Sequence, residues 1–212
     1  MIIYLHGFAS SPHSGKASYL AQRLRARGVA FHAPDLNLPD FPTLTVTRML
    51  EQTGALIEAS NEPVTLFGSS LGGFVAVNAA AKWPERVAKV VLLAPALDFA
   101  GERMRELAGI RLDGWKRAGA VQIFHYGYGR MMPVRYGLYE DATRYDALDA
   151  EIPMPVLAFQ GRRDTAVDPL MVESWSKQRP NVELHLLDDD HQLASSLEYI
   201  WERTAAFLGL ST

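Results

Sequence analysis

Val64-Thr65-Leu66-Phe67-Gly68-Ser69-Ser70-Leu71-Gly72-Gly73 decides how the rest of the 212-residue chain is read. Its first four residues are apolar or β-branched and predict a strand over 64–67. After Gly73, Val75, Ala79 and Ala80 recur at helical spacing and predict a helix that stops near Trp83-Pro84. Between the two, Gly68, Ser70 and Gly72 fit the pattern G-x-S-x-G. A strand that turns at once into a helix holds its apex residue in a strained backbone conformation. Bulk two positions either side of the apex would collide, so glycine stands there. The turn lifts the Ser70 hydroxyl above the sheet edge, at a helix N-terminus whose amides favour developing negative charge. Ser69 does not fit the frame, because Phe67 stands two places before it.

The flanking sequence alternates short apolar runs with amphipathic stretches, which predicts an α/β fold with a mostly parallel sheet covered by helices. Strands are expected over Ile2 to Leu5, Val29 to Ala33, Val64 to Phe67, Val87 to Leu93, Pro155 to Gln160 and Val182 to Leu187, about six in all. Helices are expected from a Ser14 cap to about Arg27, from about Thr45 to Ala59, after Ser70, from about Pro169 to Lys177, and at the end, where Leu193, Leu197, Ile200, Trp201 and Leu208 recur. From 98 to 151 the pattern loses any steady period. A connection of that length is usually functional, and its many aromatics argue for order. It is expected to form a small cap or lid within a single domain over 1–212. A small second core packed on the sheet edge fits the same residues.

Composition narrows the chemistry. Hydrophobic residues at 48% against 21% charged give an ordinary globular balance rather than disorder. A net charge of −3 gives no electrostatic reason to expect nucleic acid or a membrane surface as partner. The absence of cysteine removes disulfides, thiolate metal sites and a cysteine nucleophile together. No apolar run is long enough to span a bilayer, and no basic, apolar leader precedes Ile2, so a cytoplasmic location is expected. Gly127-Tyr128-Gly129 fails G-x-G-x-x-G, no P-loop occurs, and no cluster has metal-ligand spacing. No metal or cofactor is therefore expected.

A serine hydroxyl needs a base to take its proton, and the base needs an orienting group. His125, His185 and His191 follow Ser70. His185 lies inside a predicted strand and His125 inside the aperiodic stretch. His191 follows the last strand directly, on the loop at a strand's carboxyl end where such sheets place ligands. Asp164, in Gly161-Arg162-Arg163-Asp164, leaves the end of another strand in the same way. Asp168 is the competing acid, but with Pro169 behind it the residue reads as a helix cap. Asp188, Asp189 and Asp190 read as a solvated acidic turn. The backbone N–H groups of Leu71, next to the nucleophile, and of Phe8, in the loop after the first strand, are the candidate oxyanion donors.

Tyr4-Leu5-His6-Gly7-Phe8-Ala9-Ser10-Ser11-Pro12, Gly68-Ser69-Ser70-Leu71-Gly72-Gly73, Gly161-Arg162-Arg163-Asp164 and Asp190-His191 resemble the small bacterial YqiA-type esterases of the α/β-hydrolase superfamily. The resemblance covers the chain outside 98–151. It implies a reduced α/β-hydrolase fold without the usual first antiparallel hairpin, a structural role for His6, and hydrolysis of a small-molecule carboxylic ester or thioester without a cofactor. Ser70 would be nucleophile, His191 base and Asp164 orienting acid. Phe124, Tyr126 and Tyr128 are the candidate pocket residues. A peptidase or C–C bond hydrolase on the same residues, or a non-catalytic binding protein that kept the fold, are the alternatives.

Overall fold

The computed structural model describes residues 1–101, 106–107 and 109–210. In chain order its elements are β1 (Ile2–Leu5), α1 (Gly15–Arg25), β2 (Phe31–His32), α2 (Val46–Ala59), β3 (Val64–Ser69), α3 (Leu71–Lys82) and β4 (Val87–Leu93). Then come β5 (Glu106–Leu107), β6 (Ile110–Arg111), α4 (Leu112–Ala118), β7 (Ala120–His125), β8 (Arg130–Arg135) and α5 (Gly137–Ala142). The chain closes with β9 (Val156–Gly161), α6 (Pro169–Lys177), β10 (Val182–Leu187) and α7 (Leu197–Leu208). Six strands form one sheet in the order β10-β9-β4-β3-β1-β2, every pair parallel. No helix among the described residues is long and apolar enough to cross a membrane.

Period-two alternation distributes the strand side chains between two apolar layers. Ile3, Leu5, Val64, Leu66, Val90, Leu92, Val156 and Ala158 face the layer that holds α2 and α3. Ile2, Tyr4, Phe67, Val91, Leu93, Leu157 and Phe159 face the layer beneath α1 and α7. The expected strand over 29–33 shrinks to Phe31–His32, because β2 is an edge strand held only by β1 through two register pairs. The third strand instead runs on to Ser69, since Gly68 pairs with Leu5 on one side and Ser69 with Leu93 on the other. The caps lie where the sequence put them: Ser14 accepts from Ala17 N–H, Thr45 from Arg48 N–H and Asp168 from Leu170 N–H.

The described residues of the 98–151 stretch are more regular than their sequence suggests. β7 and β8 form an antiparallel hairpin, with Val121, Ile123 and His125 turned inward. Trp115, Val121, Ile123, Val134 and Leu138 are buried in the same apolar layer as α2 and α3. Thr47, in the first turn of α2, donates its N–H and its hydroxyl to the two oxygens of Asp141 at 2.7 and 2.6 Å. Trp115 is fully buried, and its indole N–H donates to the Val134 carbonyl at 3.0 Å, tying α4 to the hairpin. Trp115→Ala removes that bond and leaves a large void. It should lower unfolding free energy by about 3–5 kcal/mol in a urea titration followed by far-UV circular dichroism. A change of less than about 1 kcal/mol would mean that Trp115 is not packed and bonded in this way.

Candidate active site

The site lies where the sheet order changes direction. The chain leaves β1 toward β2 and returns to the other side of β1 as β3, and ligands of such sheets bind beyond the strand ends at that switch. Ser70 follows β3 with φ 53° and ψ −119°, in the left-handed half of backbone space that a non-glycine residue adopts only under constraint. Ala9 after β1, Ala94 after β4 and Leu193 after β10 also have positive φ. These four are the non-glycine residues of that kind among the described residues. All of them follow carboxyl ends of sheet strands. The glycines of the elbow answer to space. A Cβ on Gly68 would lie 2.4 Å from the Gly72 carbonyl oxygen, and one on Gly72 would lie 2.0 Å from that of Leu5.

Ser70, His191 and Asp164 form one hydrogen-bonded row. Asp164 Oδ2 stands 2.8 Å from His191 Nδ1, and His191 Nε2 stands 3.1 Å from Ser70 Oγ. A carboxylate only accepts, so the imidazole proton sits on Nδ1, and Nε2 is left to accept from the serine hydroxyl. Asp164 is buried and its acceptor capacity is filled. Oδ1 takes the N–H groups of Ala166 and Val167, each at 2.8 Å. Oδ2 takes the Gln160 amide at 2.8 Å beside the imidazole. Burial alone would push this carboxyl up, but the bonds from His191, Val167 N–H and Gln160 outweigh it and hold the group below the usual carboxylate range.

The remaining candidates divide. Asp168 caps α6, as expected. Asp190 accepts from Gln192 N–H and Asp188 pairs with Arg163. Asp189 differs from the solvated reading: it is buried, accepting from Ser196 Oγ at 2.8 Å and from Asp190 N–H at 2.8 Å. His185 lies on Phe159 and meets Glu183 and Tyr199. His125 is fully buried, accepts from Tyr128 N–H at Nδ1 and stacks on the Tyr128 ring. The N–H groups of Phe8 and Leu71 donate to no acceptor among the described residues.

Phe124, Tyr126 and Tyr128 are exposed at the end of the hairpin. Phe124 and Tyr126 meet edge to face. Their ring contacts are with each other and with His125, not with Ser70 or His191. The aromatic side chains grouped with the β1 loop are others. The half-buried Phe8 ring lies 5.6 Å from Phe41 and 6.1 Å from Phe99, and Phe99 lies 6.0 Å from Phe74. Sequence reasoning passes over Phe41, Phe74 and Phe99, whose spacing reads only as core, and singles out Phe8 only for its backbone N–H. It also passed over Gln160, whose signal was a polar residue ending an otherwise apolar strand. No group of three or more His, Cys, Asp or Glu side chains among the described residues could hold a metal ion.

A parallel sheet whose central strand ends in such an elbow defines the α/β-hydrolase fold, and solved structures share it. Est1E from Butyrivibrio proteoclasticus with ferulic acid bound matches with a TM-score of 0.84 at 23% identity, covering 98% of this chain and 87% of that one. Alpha/beta hydrolase domain-containing protein 10 from mouse matches at 0.80 and 20% identity, covering 98% and 89%. The chain belongs to the uncharacterised protein family UPF0227, whose model matches residues 1–208. Lipase LipV of Mycobacterium tuberculosis (strain ATCC 25618 / H37Rv) is 32% identical over 130 residues, 53% of this chain and 49% of that protein, so the match spans about half of the relative.

Two outcomes test the site's construction. Gly72→Ala should destabilise by about 3 kcal/mol, because the clash is with backbone that cannot rotate away. Gly15→Ala, at the open start of α1 with nothing within 4 Å, should be neutral or stabilise by up to about 1 kcal/mol. Chemical denaturation of both variants measures the contrast. The Asp164 carboxyl is depressed in the folded state, so its ionisation contributes stability that is complete above the ordinary carboxylate range and is lost as pH falls below it. The stability gap between wild type and Asp164→Asn should therefore narrow from pH 7 to pH 3.

Proposed function

We propose that this protein is a serine hydrolase that cleaves a small-molecule carboxylic ester or thioester through an acyl-enzyme. One observation carries the reading: a strained serine at a helix N-terminus, within hydrogen-bond distance of an imidazole that donates to a buried, fully satisfied carboxylate. Ser70 Oγ attacks the acyl carbon while its proton passes to His191 Nε2. The carbonyl oxygen gains negative charge and is met by the spare N–H groups of Leu71 and Phe8. As the tetrahedral intermediate collapses, the bond to the leaving oxygen or sulfur breaks, and that atom takes the proton from His191. Water then attacks the acyl-enzyme, His191 takes its proton, and Ser70 leaves with that proton restored. Asp164 keeps its charge throughout, holding the ring and stabilising the imidazolium.

The likeness to Lipase LipV and to Est1E supports an ester as the scissile group. The Phe8, Phe41 and Phe99 cluster supports a small or medium apolar acyl group beside the oxyanion loop. Residues 98–151 act as a cap in this reading. Its support is the hairpin end, where Gly127 N–H donates to the Ala9 carbonyl at 3.3 Å. Phe124, Tyr126 and Tyr128 would then form an outer rim for the acyl chain rather than its inner wall.

Ser70→Ala should lower kcat on p-nitrophenyl acetate and butyrate by about 10⁴-fold or more while the circular dichroism spectrum stays unchanged. Asp164→Asn should approach that loss. Asp168→Asn, which keeps a competent helix cap, should leave turnover nearly unchanged. A fluorophosphonate probe should add covalently to wild type and not to Ser70→Ala, as read by intact-protein mass. A Ser70→Ala protein with wild-type turnover would defeat the reading.

A further inference from the structure

The loop that carries His191 is held carbonyl by carbonyl. Asp188 O accepts from the Arg163 guanidinium at 3.0 Å, Asp189 O from Arg163 N–H at 3.0 Å, and Asp190 O from Leu193 N–H at 3.2 Å. All three donors belong to the β9 loop or to the turn itself. The fourth carbonyl, that of His191, is held from elsewhere: Lys16 Nζ, in the first turn of α1, donates to it at 3.1 Å across 175 residues of sequence. Lys16 is partly buried. The charged groups that face it are Asp164 from the β9 loop and Asp189 and Asp190 from the β10 loop. His191 is the titratable ring on the carbonyl it holds.

An ammonium is an expensive way to satisfy one neutral carbonyl in a half-buried place, since its charge loses water there. Burial is the dominant influence, and it pushes the Lys16 group down to about 8 in spite of the three aspartates. Folding therefore gains nothing from the charged form that a neutral donor would not supply at lower cost. The site gains a fixed peptide unit on the residue whose ring must bridge Ser70 and Asp164. A displacement of about 1 Å in such a ring can cost about 100-fold in rate.

We propose that Lys16 is a positioning residue for the hydrolysis: its ammonium clamps the main-chain carbonyl of His191 and so sets the imidazole between Ser70 and Asp164. This rests on the serine-hydrolase reading. It has a consequence that a purely structural lysine lacks, because activity and stability must respond to pH in opposite directions. As Lys16 loses its proton the clamp weakens and kcat falls, with a midpoint near pH 8. Over the same range the cost of burying its charge disappears. The unfolded chain still binds that proton up to the ordinary lysine value of 10.5, so this group's contribution to stability rises with pH.

The test is kcat against pH from 6 to 10 on p-nitrophenyl butyrate, with melting temperature at each pH, for wild type, Lys16→Met, Lys16→Arg and Ser70→Ala. Wild type should show an alkaline fall in kcat centred near pH 8. Lys16→Met should lose that limb and run about 10- to 100-fold below wild type at pH 7 with KM little changed. Its melting temperature relative to wild type should be highest below pH 8 and decline above it. Lys16→Arg keeps its charge throughout, so it should carry neither the limb nor the full loss. A Lys16→Met enzyme with wild-type kcat and an unmoved alkaline limb overturns the proposal. So does a limb near pH 8 in Lys16→Arg, which serves if the methionine variant does not fold. Ser70→Ala separates the two readings. If it is inactive while both lysine variants match wild type, only the clamp fails, and if it is fully active both readings fail.

Discussion

The first turn of α3 runs so close to the end of β1 that no side chain fits between them. A Cβ at Gly72 would sit inside the Leu5 carbonyl, and the next nearest atom is the His6 carbonyl oxygen at 2.8 Å. Everything around Ser70 depends on that approach. It forces the chain through an abrupt reversal at Ser70, whose dihedrals cost on the order of 1–3 kcal/mol. It also brings the β1 loop against the start of the helix, where a Cβ on Gly7 would lie 3.2 Å from that of Ser70. The strain is borne because β3 lies in the middle of the sheet, paired on both sides, with Val64, Leu66 and Phe67 buried. An edge strand could not hold its own end so rigidly.

Electrostatics at the site follow a second constraint, that a buried carboxylate must be met on every lone pair it offers. Asp164 meets it with two backbone N–H groups, an amide and an imidazole. Three of those four donors come from its own turn or from the end of its own strand. The aspartate is thus held whether or not the imidazole is present, and the ring finds a partner already in place. Asp189, also buried, has one donor on each oxygen, a serine hydroxyl and a neighbouring N–H. The histidine between these acids sits in a turn closed by Leu193 N–H on the Asp190 carbonyl, with Leu193 itself in a left-handed conformation.

The sheet and the elbow were legible because their signals are local. Predominantly apolar runs mark β3, β4 and β9, an alternating one marks β10, and their expected ends lie within about two residues of the observed ones. Ser70, Asp164 and His191 could be singled out because each follows such a run, and Asp168 could be set aside because Pro169 made it a cap. The hairpin of 120–135 was illegible for the opposite reason. Its inward positions are Val121, Ile123 and His125, while Phe124 and Met131 point outward, so the hydrophobic alternation is inverted at the tip. A polar residue inside and an aromatic outside defeat any period count. Lys16 was illegible because its role depends on a carbonyl 175 positions away, and the signal of Gln160, a polar residue ending an apolar strand, takes its meaning only from the fold that sets it on Asp164. The buried state of Asp189 rested likewise on a serine beyond the next turn.

The β1 loop shows how such long-range contacts converge on one purpose. Leu36 N–H donates to His6 Nε2 at 3.0 Å, which leaves the ring proton on Nδ1, 2.9 Å from the Gly7 carbonyl. Gly127 N–H donates to the Ala9 carbonyl, and the Asn37 amide donates to the Ser10 carbonyl at 2.9 Å. Three carbonyls of the loop are therefore bound by groups from the ring before it, the hairpin and the segment after β2. The Phe8 N–H shares its peptide plane with the bound Gly7 carbonyl. Fixing one end of a rigid peptide fixes the direction of the other. The carbonyls absorb the anchoring and the Phe8 amide is left without an acceptor among the described residues; in the proposed serine-hydrolase reading, a donor held in this way would meet a developing charge without reorganising.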